Sequence, residues 1–377
     1  MVRFVHTSDW QLGMTRHFLE GEAQARYTAA RIDAIRSIGA VARAARCEFV
    51  VVAGDVFESS LVASQTVRRA LEAMAAVELP IYLLPGNHDP LDAVTVYRSR
   101  LFESLRPPNV HVLQESGIHE IRPGVELVAA PWRSKAPLSD LVGEVVRPLE
   151  PAPDGTVRIV VGHGALDVLT PDTHDPAVIE LAPLEDALQD GSIHYVALGD
   201  KHTRLTVGRD RLVAYSGSPE VTSFREELPG DVLVVDAAPG RPATSQPHHV
   251  GTWRFLTLDR IVSGDADLDA LDAELGALDP KDRTVVRTGL QGTLTLAQKA
   301  RLDTLLDAYS DVLAGRFTWD PGQDIAVIVG DELTDLGVGG FVDAAVADLA
   351  GMADGGDAEV AREALSLLYR LAKGPAA

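Results

Sequence analysis

The sequence predicts an α/β chain: two β-sheets packed face to face with helices outside them, then a smaller α+β domain and a helical tail. Three observations lead there. Residues 1–236 alternate short apolar, β-branched runs with helical patterns. Five of the runs end in polar motifs pinned by Gly or Pro, as strands do when they deliver side chains to a shared site. The chain also has 377 residues, more than one ordinary core accommodates, so at least two domains are expected.

The five strands that precede the motifs are Arg3–Thr7, Phe49–Ala53, Ile81–Leu84, Arg158–Val161 and Tyr195–Leu198. Each is an apolar run of strand length. Further strands are expected at Val110–Leu113, Glu126–Ala130, Leu212–Tyr215 and Val232–Asp236. Glu22–Arg46 carries Ala, Ile and Val at helical spacing with Arg on the other face, and a second helix falls near Leu61–Ala76. This βαβ-then-β-rich order suits two sheets with helices outside. The stretch Ala237–Pro247, rich in Pro, Ala, Gly and Ser, reads as a linker, giving a first domain over 1–240. In the second domain, 250–335, strands are expected at Thr252–Leu258, Asp282–Gln291 and Ile325–Gly330, with helices at Ala266–Ala277 and Leu296–Leu313. A hairpin over 338–374 follows, with amphipathic helices at Gly340–Ala350 and Asp357–Leu371 about a turn at Gly351–Gly356.

Hydrophobic content of 46% against 24% charged residues fits a folded globular enzyme and excludes a disordered chain. The single cysteine, Cys47, excludes an internal disulfide framework and suits a reducing compartment. No signal-peptide pattern precedes the first motif and no apolar run approaches membrane-spanning length, so a cytoplasmic protein without a membrane partner is expected. The net charge of −21 is shared almost equally by residues before and after 250, −10 and −11. That balance argues against a strong unaided grip on nucleic acid. The objection is partial, because two bound divalent cations would present their own positive charge to phosphate. Arg98, Arg100, Arg106, Arg133, Lys135, Lys201, Arg204, Arg209, Arg211 and Arg225 could add a local basic rim.

The five motifs are Ser8-Asp9-Trp10-Gln11, Gly54-Asp55-Val56-Phe57, Gly86-Asn87-His88-Asp89, Gly162-His163-Gly164 and Gly199-Asp200-Lys201-His202. Two divalent ions held side by side need hard oxygen and imidazole ligands, a carboxylate to bridge them, and open positions for water and phosphate. Asp55 is placed to bridge, Asp9 to be a terminal carboxylate, and His163 and His202 to give imidazoles. Asn87 offers a neutral oxygen that keeps the ligand charge low. His88 is aimed at substrate rather than at metal.

These motifs resemble those of the calcineurin-like metallophosphoesterase superfamily, whose pattern is D-x-H, G-D, G-N-H-[DE], a lone His, and G-H-x-H. FVHTSDWQLG at the start, YVALGDKHT (Tyr195–Thr203) and YSGSPE (Tyr215–Glu220) resemble one branch of it, the SbcD-type DNA repair exonucleases. The likeness covers about residues 1–236. It implies the metallophosphoesterase four-layer α/β/β/α sandwich with a C-terminal capping domain. It also implies one metal at Asp9, Gln11, Asp55 and His202 and a second at Asp55, Asn87, His163 and Asp200. Manganese is the favoured ion, with magnesium as the other option, and a metal-activated water is the nucleophile. His88, held by Asp89, would stabilise the transition state or protonate the leaving group. Gln11 and Asp200 depart from the pattern, since each stands where the family has His. With fewer imidazoles the site is harder and the first metal is held less tightly.

The branch further implies DNA as substrate at duplex ends or single strands, an SbcC-like coiled-coil ATPase partner docking on the helical tail, and a homodimer. Two alternatives stay open: a small-molecule phosphodiesterase of the cyclic-nucleotide type, and a non-catalytic DNA-end scaffold decayed at Gln11. His17 carries a substrate-facing option, and Trp132 is either packing or an aromatic element near a DNA path.

Overall fold

The structure is a computed structural model, and it describes residues 1–172, 174–328, 341–353 and 358–373. The chain divides into two compact units, one of residues 1–16 and 24–253, the other of residues 17–23 and 254–377.

In the first unit the strands are β1 (Val2–Thr7), β2 (Phe49–Ala53), β3 (Ile81–Leu84), β4 (Val110–Val112), β5 (Gly117–Arg122), β6 (Val125–Ala129), β7 (Val157–His163), β8 (Tyr195–Gly199), β9 (Leu205–Val207), β10 (Val213–Tyr215), β11 (Asp231–Ala238) and β12 (Arg241–His249). The helices are α1 (Gly21–Ala44, most of it in this unit), α2 (Ser64–Ala75), α3 (Arg100–Leu105), α4 (Leu141–Val146) and α5 (Leu181–Gln189). One sheet runs β12-β11-β1-β2-β3-β4, the other β5-β6-β7-β8-β10-β9. Pairing is parallel from β1 through β4 and again from β6 through β8 to β10.

Three apolar layers hold the unit together. Phe4, Val51 and Ala53 of one sheet meet Ile159, Val161 and Ala197 of the other between the sheets. Val50 and Val52 point the other way, onto Ile35 and Ile38 of α1 and Leu71 and Met74 of α2. Val160 and Val196 pack with Val142 of α4 and Leu184 of α5. The order is helix, sheet, sheet, helix. Strands β2 and β7 are buried at every residue, which is why β2 reads as an unbroken apolar run and β7 carries one at Ile159–Val161.

His6 interrupts the apolar layer between the sheets. It is fully buried, with Nδ1 3.1 Å from the Tyr195 hydroxyl and Nε2 3.2 Å from the Leu198 carbonyl oxygen. Burial pushes its pKa down from 6.5 to about 3. The folded state therefore keeps the ring neutral while the unfolded chain takes up a proton below pH 6.5, so stability is lost as pH falls through that window. His6 is expected to cost roughly 2 kcal/mol of unfolding free energy between pH 7 and pH 5. Urea melts at the two pH values should show the difference shrinking by that amount in His6→Gln. An unchanged pH dependence would remove His6 as its source.

Ala237–Pro247 is not a linker. It is the hairpin of β11 and β12, paired from Asp231–His249 to Ala238–Arg241. The two prolines of β12, Pro242 and Pro247, are tolerated because β12 is an edge strand with only one neighbour to bond. The units part after Trp253 instead.

The second unit contains β13 (Arg254–Ile261), α6 (Asp265–Gly276), β14 (Thr284–Thr295), α7 (Leu296–Ser310), β15 (Gly315–Thr318), β16 (Asp324–Ile328), α8 (Phe341–Met352) and α9 (Ala358–Lys373). All its strand pairs are parallel, with β14 between β13 on one side and β15 and β16 on the other. Leu268, Leu271 and Leu275 of α6 and Leu302 and Leu306 of α7 pack on Leu258, Val286 and Leu290. Thr295 and Gln298 close a reciprocal capping box at the start of α7. Phe18 lies against Phe255 and Phe317. The tail helices pack through Val346, Ala361 and Leu365 around Leu296. Residues 329–340 and 354–357, which include half of the expected turn at Gly351–Gly356 and the end of the expected strand Ile325–Gly330, lie outside the described residues. No helix among the described residues is long and apolar enough to cross a membrane.

Candidate metal centre

The loops after β1, β2, β3, β7 and β8 all leave the carboxyl ends of parallel strands, and their side chains converge. Asp9, Asp55 and His163 are buried and each offers one ligand atom, all within 4.8 Å of one another. Backbone hydrogen bonds weld the first two loops: Asp9 N to Gly54 O at 3.0 Å, Gln11 N to Asp55 O at 2.9 Å and Leu12 N to Val56 O at 2.9 Å.

Four expected ligands sit in left-handed backbone conformations: Asp9 at φ 52°, Gln11 at 43°, Asp55 at 54° and Asp200 at 98°. Such positions cost about 1–3 kcal/mol each and persist where the surroundings over-determine them, typically at functional sites. Gly54 is required more strictly. Its φ is +92°, and a Cβ there would lie 2.1 Å from His163 Nδ1.

Asp55 lies at the middle. Its Oδ1 accepts from His88 N at 3.0 Å and is 3.4 Å from His163 Nε2, while its Oδ2 accepts from Gln11 Nε2 at 3.4 Å. His163 Nδ1 donates to the Ala53 carbonyl at 2.9 Å, leaving Nε2 to face Asn87 Oδ1 at 2.7 Å. Burial works against charge on this ring, yet Asp55, Asp9 and Asp200 outweigh it and raise its pKa to about 9. The proton thus held on Nε2 marks the position from which that nitrogen would bind a cation, and binding would release it. On the other side, His202 Nε2 is 3.8 Å from Asp9 Oδ1 and 3.3 Å from Gln11 Nε2.

Two expected roles change. Asp89 does not hold the His88 ring. Its Oδ1 accepts from Gly86 N at 2.8 Å, and its Oδ2 accepts from Phe57 N at 3.0 Å and the Tyr97 hydroxyl at 2.6 Å. It is fully buried and ties the β2 and β3 loops together; burial, then the charge of Asp55, pushes its pKa up to about 6. His88 is oriented instead by the Glu58 carbonyl, 2.9 Å from Nδ1, which leaves its Nε2 edge to the site. Asp200 lies outside the group of Asp9, Asp55 and His163: its side chain is 31% exposed with Oδ2 3.9 Å from Lys201 Nζ, while its charge still helps to raise the His163 pKa. Its N–H serves the site, donating to both carboxylate oxygens of Asp9 at 3.2 Å.

Sequence reasoning missed the residues behind the ligands. Arg31, read as a solvent-side arginine of α1, is 2% exposed. Its guanidinium donates to the carbonyls of Trp10 and Gln11 at 3.1 and 3.3 Å, to Tyr27 Oη at 3.0 Å and to Glu220 O at 3.3 Å. The spacing Tyr27–Arg31–Ile35 puts it on the buried stripe of the helix, a signal that was available. Trp132 packs edge-on against His163 and donates Nε1–H to its carbonyl at 2.7 Å, so it supports the ligand rather than reaching outward. His17 belongs to the second unit, beside Phe18. Of the expected basic rim, Arg133, Lys201, Arg204 and Arg209 each face a carboxylate.

The donor set fits divalent cations. It combines hard carboxylate and amide oxygens with imidazole, and the Gln11 side chain keeps a buried Oε1 without a hydrogen-bond partner. A four-layer sandwich with such a cluster at its strand ends defines a metallophosphoesterase enzyme. The chain belongs to the calcineurin-like phosphoesterase family, whose model matches residues 2–204.

Its curated relatives lie on the SbcD-type branch. It is 27% identical over 278 residues to the D component of nuclease SbcCD from Bacillus subtilis (strain 168), covering 65% of this chain and 68% of that one. It is 26% identical over 246 residues to the DNA double-strand break repair protein Mre11 of Archaeoglobus fulgidus, covering 60% of this chain but 52% of that one. The D component of nuclease SbcCD from Rhodobacter capsulatus is 30% identical over 123 residues, covering 31% of this chain and 26% of that one.

Proposed function

We propose that this protein is a metal-dependent DNA nuclease that hydrolyses phosphodiester bonds at duplex ends or in single strands, acting with an SbcC-like coiled-coil ATPase. The observation that carries the reading is the Asp55-centred cluster with His88 at its mouth. Asp9, Gln11, Asp55 and His202 would hold one divalent ion, and Asp55, Asn87, His163 and Asp200 a second. Bound there, two ions of the manganese or magnesium type would activate water and neutralise phosphate charge.

The remaining chemistry belongs to the side chains. His88 is 38% exposed, while Asp55 and His163 behind it are nearly closed to solvent, so His88 is the group a phosphodiester meets first. The Glu58 carbonyl can only accept, so it fixes one proton on Nδ1. A second proton, on Nε2, is the one that can bond a phosphate oxygen or pass to the leaving sugar oxygen. The acidic chain, at −21, would take most of its hold on DNA from the site and from a partner. The tail supports such a partner, since Val360 and Leu367 of α9 are 68% and 54% exposed.

The test is cleavage of end-labelled linear duplex with manganese by the wild type and by His88→Ala. His88→Ala is expected to reduce the rate by roughly 10²–10⁴-fold with manganese binding retained. Hydrolysis of a simple phosphodiester ester without DNA cleavage, even with the ATPase added, would move the assignment to a small-molecule phosphodiesterase. Hydrolysis of neither substrate would leave a DNA-end scaffold.

A further inference from the structure

The loop after β10, which supplies none of the expected ligands, ends in a buried carboxylate aimed at the back of His202. Glu226 has a side chain only 5% exposed, and Thr222 beside it is 2% exposed. Glu226 accepts from the Thr222 backbone N–H through both oxygens, at 3.2 and 2.9 Å, and also from the Thr222 hydroxyl. These bonds lock the carboxylate to its own turn before it meets the histidine. His202 Nδ1 then lies 2.5 Å from Thr222 Oγ1 and 3.2 Å from Glu226 Oε1.

The balance of donors and acceptors sets the tautomer. A carboxylate can only accept, so the threonine hydroxyl gives its proton to the bond with Glu226 and must itself accept. The donor is His202 Nδ1–H. Its Nε2 therefore turns a lone pair toward Asp9 and Gln11, and Gln11 Nε2 is placed at 3.3 Å to donate to it. Both contacts agree on one state of the ring.

We infer that Glu226, acting through Thr222, is the positioning residue that makes His202 a strong ligand for the first of the two cations. The inference rests on the dinuclear reading above. At that position the candidate donors are Asp9 and Asp55, the weak neutral amide of Gln11, and one imidazole. A buried negative charge behind His202 increases the basicity of its Nε2, which offsets the weakness of Gln11. The second position has no such reinforcement: His163 Nδ1 is held by a neutral backbone carbonyl.

The test is calorimetric titration of the metal-stripped full chain with Mn²⁺ alone, for the wild type, Glu226→Gln and Thr222→Val, with metal-free melting temperatures alongside. Glu226→Gln preserves the shape and keeps one acceptor oxygen for Thr222, but replaces the other with a donor and removes the charge. It is expected to weaken one of two sites by roughly 10–100-fold while the other site and the metal-free melting temperature stay as in the wild type. Thr222→Val should weaken the same site by a smaller factor, and it carries the test alone should the glutamine variant not fold. Two wild-type sites left unchanged by the variants would overturn the inference and leave the dinuclear reading standing. So would equal weakening of both sites together with a lowered metal-free melting temperature, the result of a merely structural role. A wild type that binds fewer than two ions would overturn the dinuclear reading itself, and this inference with it.

Discussion

Replacing Asp55 by Asn is expected to abolish phosphodiester hydrolysis, by at least about 10³-fold or some 4 kcal/mol of barrier, with little change in metal-free stability. Asp55 is the carboxylate that faces both halves of the cluster. One oxygen sits 3.4 Å from His163 and the other accepts from Gln11 at 3.4 Å. An asparagine keeps the shape but presents one oxygen and no charge, so it can serve one cation weakly and cannot serve two. Stability should respond differently because opposing effects meet at this position. Burial is the largest cause of the raised pKa of both Asp9 and Asp89, and the Asp55 charge adds to it in each, so neutralising it relieves repulsion between buried carboxylates. The same change removes an attraction to His163, whose raised pKa owes most to Asp55 among the charges around it. The contrast should appear in thermal melts. Manganese at about 100 times its Kd should stabilise the wild type by roughly 2.7 kcal/mol, and most of that response should vanish in Asp55→Asn. A variant that hydrolyses within tenfold of the wild type would rule out Asp55 as the shared ligand.

The parts of this molecule that were legible in the sequence are those where one physical requirement dominates. Strands β2 and β3 were readable to the residue because burial on both faces forces unbroken apolar runs, and the glycines after them mark where the backbone must turn sharply. The five loop motifs stood out because hard-cation chemistry restricts the residue types and five such loops rarely coincide, and the structure brings Asp9, Asp55 and His163 of those loops within 4.8 Å of one another. What stayed hidden depended on context. Strand β12 has the composition of a linker, and only its edge position makes its prolines acceptable. Asp89 sits in a catalytic-looking motif, yet its partners, Phe57 N and the Tyr97 hydroxyl, are fixed by folding rather than by spacing. Glu226 gives no local signal, because its meaning depends on a histidine 24 residues earlier in the chain. Arg31 was misread by chemistry: a charge on a helix is expected outside, and the carbonyls that satisfy it come from distant loops.

Gly199→Ala should be the most damaging single methyl group in the first unit, costing about 3 kcal/mol and lowering the melting temperature by roughly 6–12 °C. Gly199 closes β8 in one sheet, and Ala53 closes β2 in the other. A Cβ on Gly199 would lie 1.9 Å from the Ala53 carbonyl oxygen, 2.8 Å from Ser8 Cβ and 2.8 Å from His163 Nδ1. No side-chain rotation can relieve the first of these, because the obstacle is backbone. The same Ala53 oxygen accepts the hydrogen bond that orients His163. The added methyl must therefore part the sheets at their carboxyl ends or turn His163 off its acceptor, and either movement opens the distance between His163 and Asp55. Stability and metal response should fall together, unlike in Asp55→Asn, where only the second falls. Gly264→Ala is the control, since a Cβ there meets nothing within 4 Å. If Gly199→Ala melts with the wild type, the sheets can separate at that end without cost, and their close approach is not what fixes the geometry of the site.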